Sequence, residues 1–222
     1  MECKWCKKSF KSETTLAVHM CVKKRRWADK DMSHIRLAHR AFQIFYEINT
    51  SAKEPKSIED FIRSQYYEAF VKYGRACTVN EWLDPVKYTE HLIKTGVKLK
   101  QWASDKEYDK YLKIYVRKEP GLRALERTVI YLAGWGEENN EPWQDYFEKV
   151  SPSRAVYDLR SAKVSPWILY LSESGDKLLE RFNSEQVKMI QDVIDPPFWM
   201  KLFTANKEEA NEIKQACKEA KI

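Results

Sequence analysis

The chain has 222 residues, of which 43% are hydrophobic and 32% charged, with a formal net charge of +6. This mix excludes an intrinsically disordered chain and suits a packed core, while only six glycines disfavour a strand-rich fold with many tight turns. No apolar run approaches the ~18 residues that a membrane span needs, and the first residues lack the apolar core of a signal peptide. We therefore expect a cytoplasmic protein.

The first motif in the chain is CKWCKKSFKSETTLAVHMC, at residues 3–21. Cys3 and Cys6 are three residues apart, so one tight turn presents two thiolates to a single tetrahedral metal ion. We predict a helix over residues 12–20, which would bring His19 to the same ion. Three of the five cysteines lie in this segment, and in an intracellular chain such crowding favours a metal over disulfides.

Five landmarks match the pattern Cys-x2-Cys-x3-Phe-x5-Leu-x2-His. They are Cys3, Cys6, Phe10, Leu16 and His19. Over residues 1–26 the chain therefore resembles a C2H2-type zinc finger. The resemblance implies a ββα-like fold around a small apolar core and one structural Zn²⁺, whose binding supplies the folding free energy that so short a module lacks.

The fourth ligand departs from the family pattern. Such fingers usually place it four to six residues after the first histidine, where residues 23–25 are all basic here. The nearest cysteine is Cys21, but residues i and i+2 of a continuous helix point about 200° apart, so we expect the helix to unwind at Met20. This C2HC variant has the predicted ligands Cys3, Cys6, His19 and Cys21. His34 is the alternative fourth ligand, and a finger that binds no zinc is a further alternative.

The positive charge is concentrated in the finger and just after it. Residues 1–40 contain eleven of the 39 lysines and arginines but only four of the 33 acidic residues, so they carry +7 while the remaining residues carry −1. Such asymmetry indicates a polyanionic partner, and we predict nucleic acid, DNA in preference to RNA. The predicted contacts are Lys7, Lys8, Lys11, Lys23, Lys24, Arg25, Arg26 and Trp27.

The finger helix offers little for reading bases. The base-reading positions of the family correspond to Ser12, Thr15 and Val18, and none of these side chains makes the bidentate base contacts of Arg, Asn, Gln or Lys. We therefore expect contacts to phosphates, which position a protein without specifying a sequence. Trp27 is suited either to stacking on an unpaired base or to packing on the next helix.

The rest of the chain has the pattern of helix-capping and helix-ending residues that is typical of a helical protein. We predict a finger at residues 1–26 and an all-α body of about 8–10 short helices at residues 27–222. One helix is expected to begin at a capping box formed by Ser57 and Asp60 and to end at Gly74. Further helix starts are predicted near residues 32, 84, 104, 120, 151, 184, 195 and 206. The sequence WILYL at residues 167–171 suits either a short buried strand or the start of a helix.

The body lacks a recognised catalytic motif, since it has no Gly-rich phosphate loop, H-E-x-x-H or G-x-S-x-G. Two clusters of basic residues near predicted helix N-termini suggest a possible anion site. Its members are Arg117, Lys118, Arg123, Arg127, Arg154 and Arg160. In general style, including the finger exit HMCVKKRRW, the chain resembles the small accessory proteins of tailed bacteriophages. That resemblance implies no activity and would place the protein in the host cytoplasm.

Three functions follow from these observations. The first is a zinc-finger nucleic-acid-associated protein whose helical body contacts a protein partner. The second is an enzyme that acts on nucleic acid or nucleotides and uses the finger for targeting, with the arginine clusters in its pocket. The third is a protein–protein interaction module whose basic patch meets an acidic partner. The charge asymmetry favours the first over the third, and the lack of a catalytic motif favours it over the second.

Overall fold

The computed structural model of the chain describes residues 1–51 and 54–222. These residues are 73% helical and form fifteen α-helices and two short 3-10 helices, without a β-strand. The prediction of an all-α body is confirmed, but its helices are more numerous than the 8–10 expected. Among the helices of these two ranges, none is both long and apolar enough to cross a membrane.

The helices divide between two compact units, Met1–Tyr111 and Leu112–Ile222. The first unit contains α1 (Glu13–Val18), α2 (Val22–Ala28), α3 (Ser33–Thr50), α4 (Ile58–Arg63), α5 (Tyr67–Val79), α6 (Pro85–Lys94) and the 3-10 helix Leu99–Gln101. The division falls within α7 (Asp105–Lys118). The second unit contains α8 (Gly121–Asn139), the 3-10 helix Trp143–Asp145, α9 (Tyr146–Lys149), α10 (Pro152–Arg160), α11 (Pro166–Leu171), α12 (Glu173–Glu180), α13 (Ser184–Ile194), α14 (Pro196–Ala205) and α15 (Lys207–Ala220).

The first ten residues form a hairpin turn instead of the two strands of a ββα module. In the described chain their β-type pairing is a single antiparallel bridge between Glu2 and Ser9. Beyond it, the backbone N–H of Phe10 donates to the carbonyl of Met1 at 2.7 Å. The tight turn between Cys3 and Lys8 uses the intervening residues, so too few remain to form strands. The predicted ββα-like fold is therefore not supported.

In the first unit, α3 and α5 approach closely because Gly74 has no side chain at their contact. A Cβ atom at Gly74 would lie 2.2 Å from the backbone oxygen of His34 and 3.1 Å from the Cβ of Ala38. The prediction that Gly74 ends a helix was wrong, since α5 continues to Val79. The predicted helix instead breaks earlier, at Ser64, whose ψ of 139° is not helical.

Aromatic side chains fill the core of the first unit. The rings of Phe70 and Trp102 meet edge to face at 5.5 Å, a favoured geometry for aromatic pairs. The indole N–H of Trp102 donates to the backbone carbonyl of Val97 at 2.9 Å. The hydroxyl of Tyr73 donates to the backbone carbonyl of Pro85 at 2.9 Å. The polar atoms of these large side chains therefore have partners, and burying them does not leave an unpaired donor.

In the second unit, α11 is a short buried helix. The sequence WILYL suited either a buried strand or the start of a helix, and the structure decides for the helix. Trp167, Ile168 and Leu169 are all at most 2% exposed, and α11 packs against α8, α12 and α15. A helix of six residues is not stable alone, so its conformation depends on this packing.

A buried ion pair lies at the junction of α7 and α8 in the second unit. The side chain of Glu119 is 1% exposed. Both of its carboxylate oxygens accept hydrogen bonds from the guanidinium of Arg127, at 2.9 and 2.8 Å. The hydroxyl of Tyr115 also donates to Glu119, at 3.1 Å, and burial raises the pKa of Tyr115 to about 12. The guanidinium additionally donates to the carbonyls of Ala162 and Lys163, so one arginine connects three segments.

We expect Arg127→Met to lower the free energy of unfolding by about 3–5 kcal/mol, because the Glu119 carboxylate would stay buried without its counter-charge. Urea unfolding followed by tryptophan fluorescence measures this change. Arg160→Met is the matched control, since Arg160 is an exposed helical residue of the same unit, and it should change stability by less than about 0.5 kcal/mol. Equal stability of the two variants would contradict a structural role for the ion pair.

Candidate metal centre

The turn between Cys3 and Cys6 is built by the backbone. The N–H of Cys3 donates to the carbonyl of Lys8, and the N–H of Lys7 donates to the carbonyl of Cys3, both at 2.9 Å. Lys7 adopts a left-handed conformation with φ of 62°, which reverses the chain at this point. These contacts hold both cysteines on one side of the turn, where two sulfurs can face a common point.

The electrostatics of the turn favour a thiolate at Cys3. Hydrogen bonding from the backbone N–H of Cys6 lowers the pKa of the Cys3 thiol, and the N–H of Trp5 acts in the same direction. At Cys6 the backbone N–H of Lys8 also favours the thiolate, but burial and the neighbouring sulfurs of Cys3 and Cys21 outweigh it and raise the pKa of Cys6. Like charges at short range have this effect, and a cation between the sulfurs would reverse it.

The helix α1, which precedes His19, is short and ends before the residues that face the cluster. Ser12 caps α1 by accepting a hydrogen bond from the backbone N–H of Thr15 at 3.3 Å. The helix ends at Val18, two residues earlier than predicted, and His19 and Cys21 have extended backbones with ψ of 123° and 164°. In extended chain, residues i and i+2 point to the same side. The expected unwinding is thus present, and it lets both side chains face one point.

Four side chains converge as a result. Their ligand atoms, three sulfurs and one imidazole nitrogen, all lie within 4.8 Å of one another. The residues are Cys3, Cys6, His19 and Cys21, which are the four predicted ligands. A tetrahedral ion with sulfur ligands at 2.3 Å separates those sulfurs by about 3.8 Å, so the cluster can hold one metal ion after small adjustments. Among the described residues no other group of His, Cys, Asp or Glu satisfies this criterion, and His34 on α3 is not part of it.

Two side chains outside the cluster support its ligands. The ring of Phe10 lies 4.6 Å from the ring of His19, which fits its expected place in the small apolar core. The ammonium of Lys24 donates to the backbone carbonyls of Ala17 and His19, both at 3.0 Å. It thereby satisfies carbonyls that the end of α1 leaves without an intrahelical partner. Such partners orient metal ligands and are part of a metal site.

The structure separates the predicted nucleic-acid contacts into two groups. The exposed or half-exposed cations Lys8, Lys11, Lys23 and Arg25 have no ion pair or hydrogen bond in the part of the chain that the structure describes. Lys7 lies 3.4 Å from Glu2 in a pair that is largely exposed to solvent. These five side chains can reach an external anion, whereas the remaining three have internal partners.

Arg26, Trp27 and Lys24 are the residues with internal partners. Besides the bonds of Lys24 to α1, the guanidinium of Arg26 donates to the carbonyl of Ile62 and to Glu68, both at 2.9 Å. It also stacks 4.0 Å above the ring of Tyr67. The ring of Trp27 lies 5.0 Å from that of Trp5. Lys24 and Trp27 therefore contact other residues of the finger, and Arg26 connects the finger to α4 and α5, so these three side chains are less available to an external anion than the other five.

Three of the six cations of the possible anion site are paired with the protein's own carboxylates. Arg117 pairs with Asp195 at 2.6 Å, and Arg127 pairs with the buried Glu119. Arg154 pairs with Asp158, whose side chain is fully buried. Lys118, Arg123 and Arg160 are exposed on helices or their ends. The sequence could not show the pairing of Arg117, because Asp195 is distant along the chain.

The N-terminus of α8, where an anion was expected, also binds a carboxylate of the protein itself. The backbone N–H groups of Gly121 and Leu122 donate to the Glu209 carboxylate at 2.7 and 3.3 Å. A carboxylate satisfies these donors and the helix dipole, so this end of the helix does not need an external anion.

Two supporting residues were missed by sequence reasoning. Trp5 was not singled out, although it lies between two ligand cysteines. Its ring packs against the ring of Trp27. Lys4 was omitted from the basic set, although it is exposed and its ammonium lies 5.2 Å from the centre of the Trp5 ring. Its position next to Cys3 was the available signal.

No protein-family model matches the chain, and no curated protein or solved structure is significantly similar to it. The assignment of a function therefore depends on the geometry and charge of this chain alone. The resemblances to zinc fingers and to bacteriophage accessory proteins receive no support from these comparisons.

We expect the intact protein to bind one metal ion, and Cys21→Ser to weaken binding by at least about tenfold, because a hydroxyl is a poor substitute for a thiolate ligand. Titration with Co²⁺ measures both, since thiolate ligands give intense absorption bands. Cys77→Ala is the control, because Cys77 is buried in the first unit away from the cluster. Unchanged Co²⁺ spectra for Cys21→Ser would exclude Cys21 as a ligand.

Alkylation should distinguish the cluster from the remaining thiols. Burial raises the pKa of Cys77 to about 12 and that of Cys217 to about 11, so at about pH 8 both stay protonated and unreactive. We expect iodoacetamide to label the cluster cysteines, of which Cys6 is exposed, before Cys77 and Cys217 in metal-free protein, and one equivalent of Zn²⁺ to suppress that labelling. Peptide mass mapping identifies the sites. Labelling of Cys77 at the rate of Cys6 would contradict this ranking.

Proposed function

We propose that residues 1–26 form a zinc-stabilised module that binds nucleic acid through phosphates, a C2HC variant of the zinc finger. The observation that carries the proposal is the convergence of three cysteines and one histidine in the most basic segment of the chain. Thiolate and imidazole ligands in a closed set of four suit Zn²⁺, and such a set is structural, because no coordination position stays open for a substrate.

The charge of this module supports a polyanionic partner. Residues 1–26 contain eight lysines and arginines and two acidic residues. Two of the basic side chains, Lys24 and Arg26, are bonded internally, but the free cations still outnumber the acids. Ammonium and guanidinium groups on such a surface bind phosphates and release counterions, which gives affinity without sequence recognition.

The three helix positions that would contact bases also support binding without sequence recognition. The hydroxyls of Ser12 and Thr15 lie 3.0 Å apart, and each is also bonded to the backbone of the other residue. Val18 is apolar. None of the three side chains therefore offers a free hydrogen-bonding group that could discriminate base pairs in the major groove.

The rival functions have less support. An enzyme of nucleic acid or nucleotides would need its arginines free to hold phosphate, and Arg117, Arg127 and Arg154 of the proposed pocket are paired with carboxylates. A protein–protein interaction module would use the same free cations, so it is the alternative that an experiment must exclude. In the proposal the helical body contacts a further protein partner.

The proposal predicts binding that weakens steeply with salt. If about five cations contact phosphates, the logarithm of the association constant should fall against the logarithm of salt concentration with a slope of about −3 to −5. Fluorescence anisotropy with labelled DNA and RNA measures this slope for the zinc-loaded protein and for Cys6→Ser, which should lose both zinc and binding. Zinc-loaded protein without affinity for either nucleic acid would overturn the proposal in favour of an acidic protein partner.

Two adjacent arginines provide a matched test of the contact surface. Arg25→Ala should reduce the salt slope by about 1 and leave stability within about 0.5 kcal/mol of wild type, because its side chain is exposed and unpaired. Arg26→Ala should instead lower stability by about 1–3 kcal/mol, because it removes the bonds to Ile62 and Glu68. Salt titrations and urea unfolding of both variants measure the contrast, and the reverse pattern would contradict the assignment.

A further inference from the structure

Three apolar side chains are exposed on the finger beside the metal cluster. Met20 stands between His19 and Cys21, whose extended backbones turn their side chains toward the cluster, so Met20 points away from it. Val18 is the last residue of α1 and Val22 the first of α2. The exposed fractions of Val18, Met20 and Val22 are 76%, 52% and 62%. We call these three residues the apolar ridge.

The apolar ridge protrudes instead of lining a groove. Each of its side chains is more than half exposed, which requires that little of the surrounding protein contacts it. Its length is at most about 13 Å, since extended chain rises about 3.3 Å per residue. Scattered exposed apolar residues are common, but here three of five successive residues are apolar and more than half exposed.

Positive charge follows the apolar ridge directly. Arg25 lies one helical turn beyond Val22, and both belong to the exposed face of α2. Lys23 directly follows Val22. Both cations belong to the group without internal partners, so the surface that fits the ridge should combine an apolar region with adjacent negative charge.

We propose that the apolar ridge enters the minor groove of duplex DNA and that Met20 inserts between two base pairs, an inference that rests on the proposed function. The minor groove is a cleft about 6 Å wide with phosphates along its edges, so it can receive exposed apolar side chains while the adjacent Lys23 and Arg25 contact phosphates. Side chains such as methionine act as wedges that partly unstack a base step and kink the duplex. An acidic protein surface would match the charge, but it would need a groove of this shape to accept the apolar ridge.

The test uses a short duplex with 2-aminopurine at its central step, because the fluorescence of this base rises when it is unstacked. Zinc-loaded wild-type protein should raise the fluorescence at saturating concentration. Met20→Ala should abolish most of that rise while weakening affinity by only about fivefold, the effect of losing one partly buried side chain. Wild type and Met20→Ala both keep the zinc ligands, and zinc content is measured on each sample.

Met32→Ala is the matched control, because Met32 is 50% exposed, lies in the same unit and is not part of the apolar ridge. It should behave as wild type in both measurements. If Met20→Ala unstacks the duplex as well as wild type does, or if wild type binds without any rise, the wedge is excluded although nucleic-acid binding stands. If no nucleic acid binds at all, the proposed function fails first and the apolar ridge serves a protein partner.

Discussion

The convergence of three sulfurs and one imidazole on a single point is the constraint on which the N-terminal segment depends. The helix α1 is six residues long and buries none of them, so packing alone cannot hold it in place. Thiolates as close as those of Cys3, Cys6 and Cys21 repel one another unless a cation lies between them. A divalent ion would turn this repulsion into attraction, and its binding free energy would become folding free energy for the segment.

The same constraint decides which surfaces the segment shows. Ligation by His19 and Cys21 from extended chain turns Met20 outward, and the exposed Val18 and Val22 stand at the adjoining ends of α1 and α2. At the other end of the segment, Arg26 and Trp27 hold α2 against α4 and α5 and against the cysteine turn. The helix α2 runs through the position at which the sequence suggested a domain boundary, so the finger is continuous with the first unit through its backbone and these side chains.

Basic residues in this protein have two different roles that sequence does not distinguish. Arg26 in the first unit and Arg127 in the second both sit among carbonyls and a carboxylate, and each holds separate segments together. Arginine suits this role because its planar guanidinium donates in several fixed directions. Lys8, Lys11 and Arg25 have no such partners and remain available to an external anion. Charge counting placed both groups in the same class, whereas burial and distance separate them.

The sequence by itself determined the class of fold, the four residues of the cluster and the need for the helix to end near Met20, because these follow from local periodicity, ligand spacing and helix geometry. It could not determine that Gly74 serves a close helix contact instead of a helix end, or that the expected strands reduce to one bridge. It also could not show which arginines are paired, since Glu68, Asp195 and Glu119 reach them only through folding. Local physics is encoded in neighbouring residues, whereas the pairing of charges depends on which distant segments meet, and only the tertiary structure decides that.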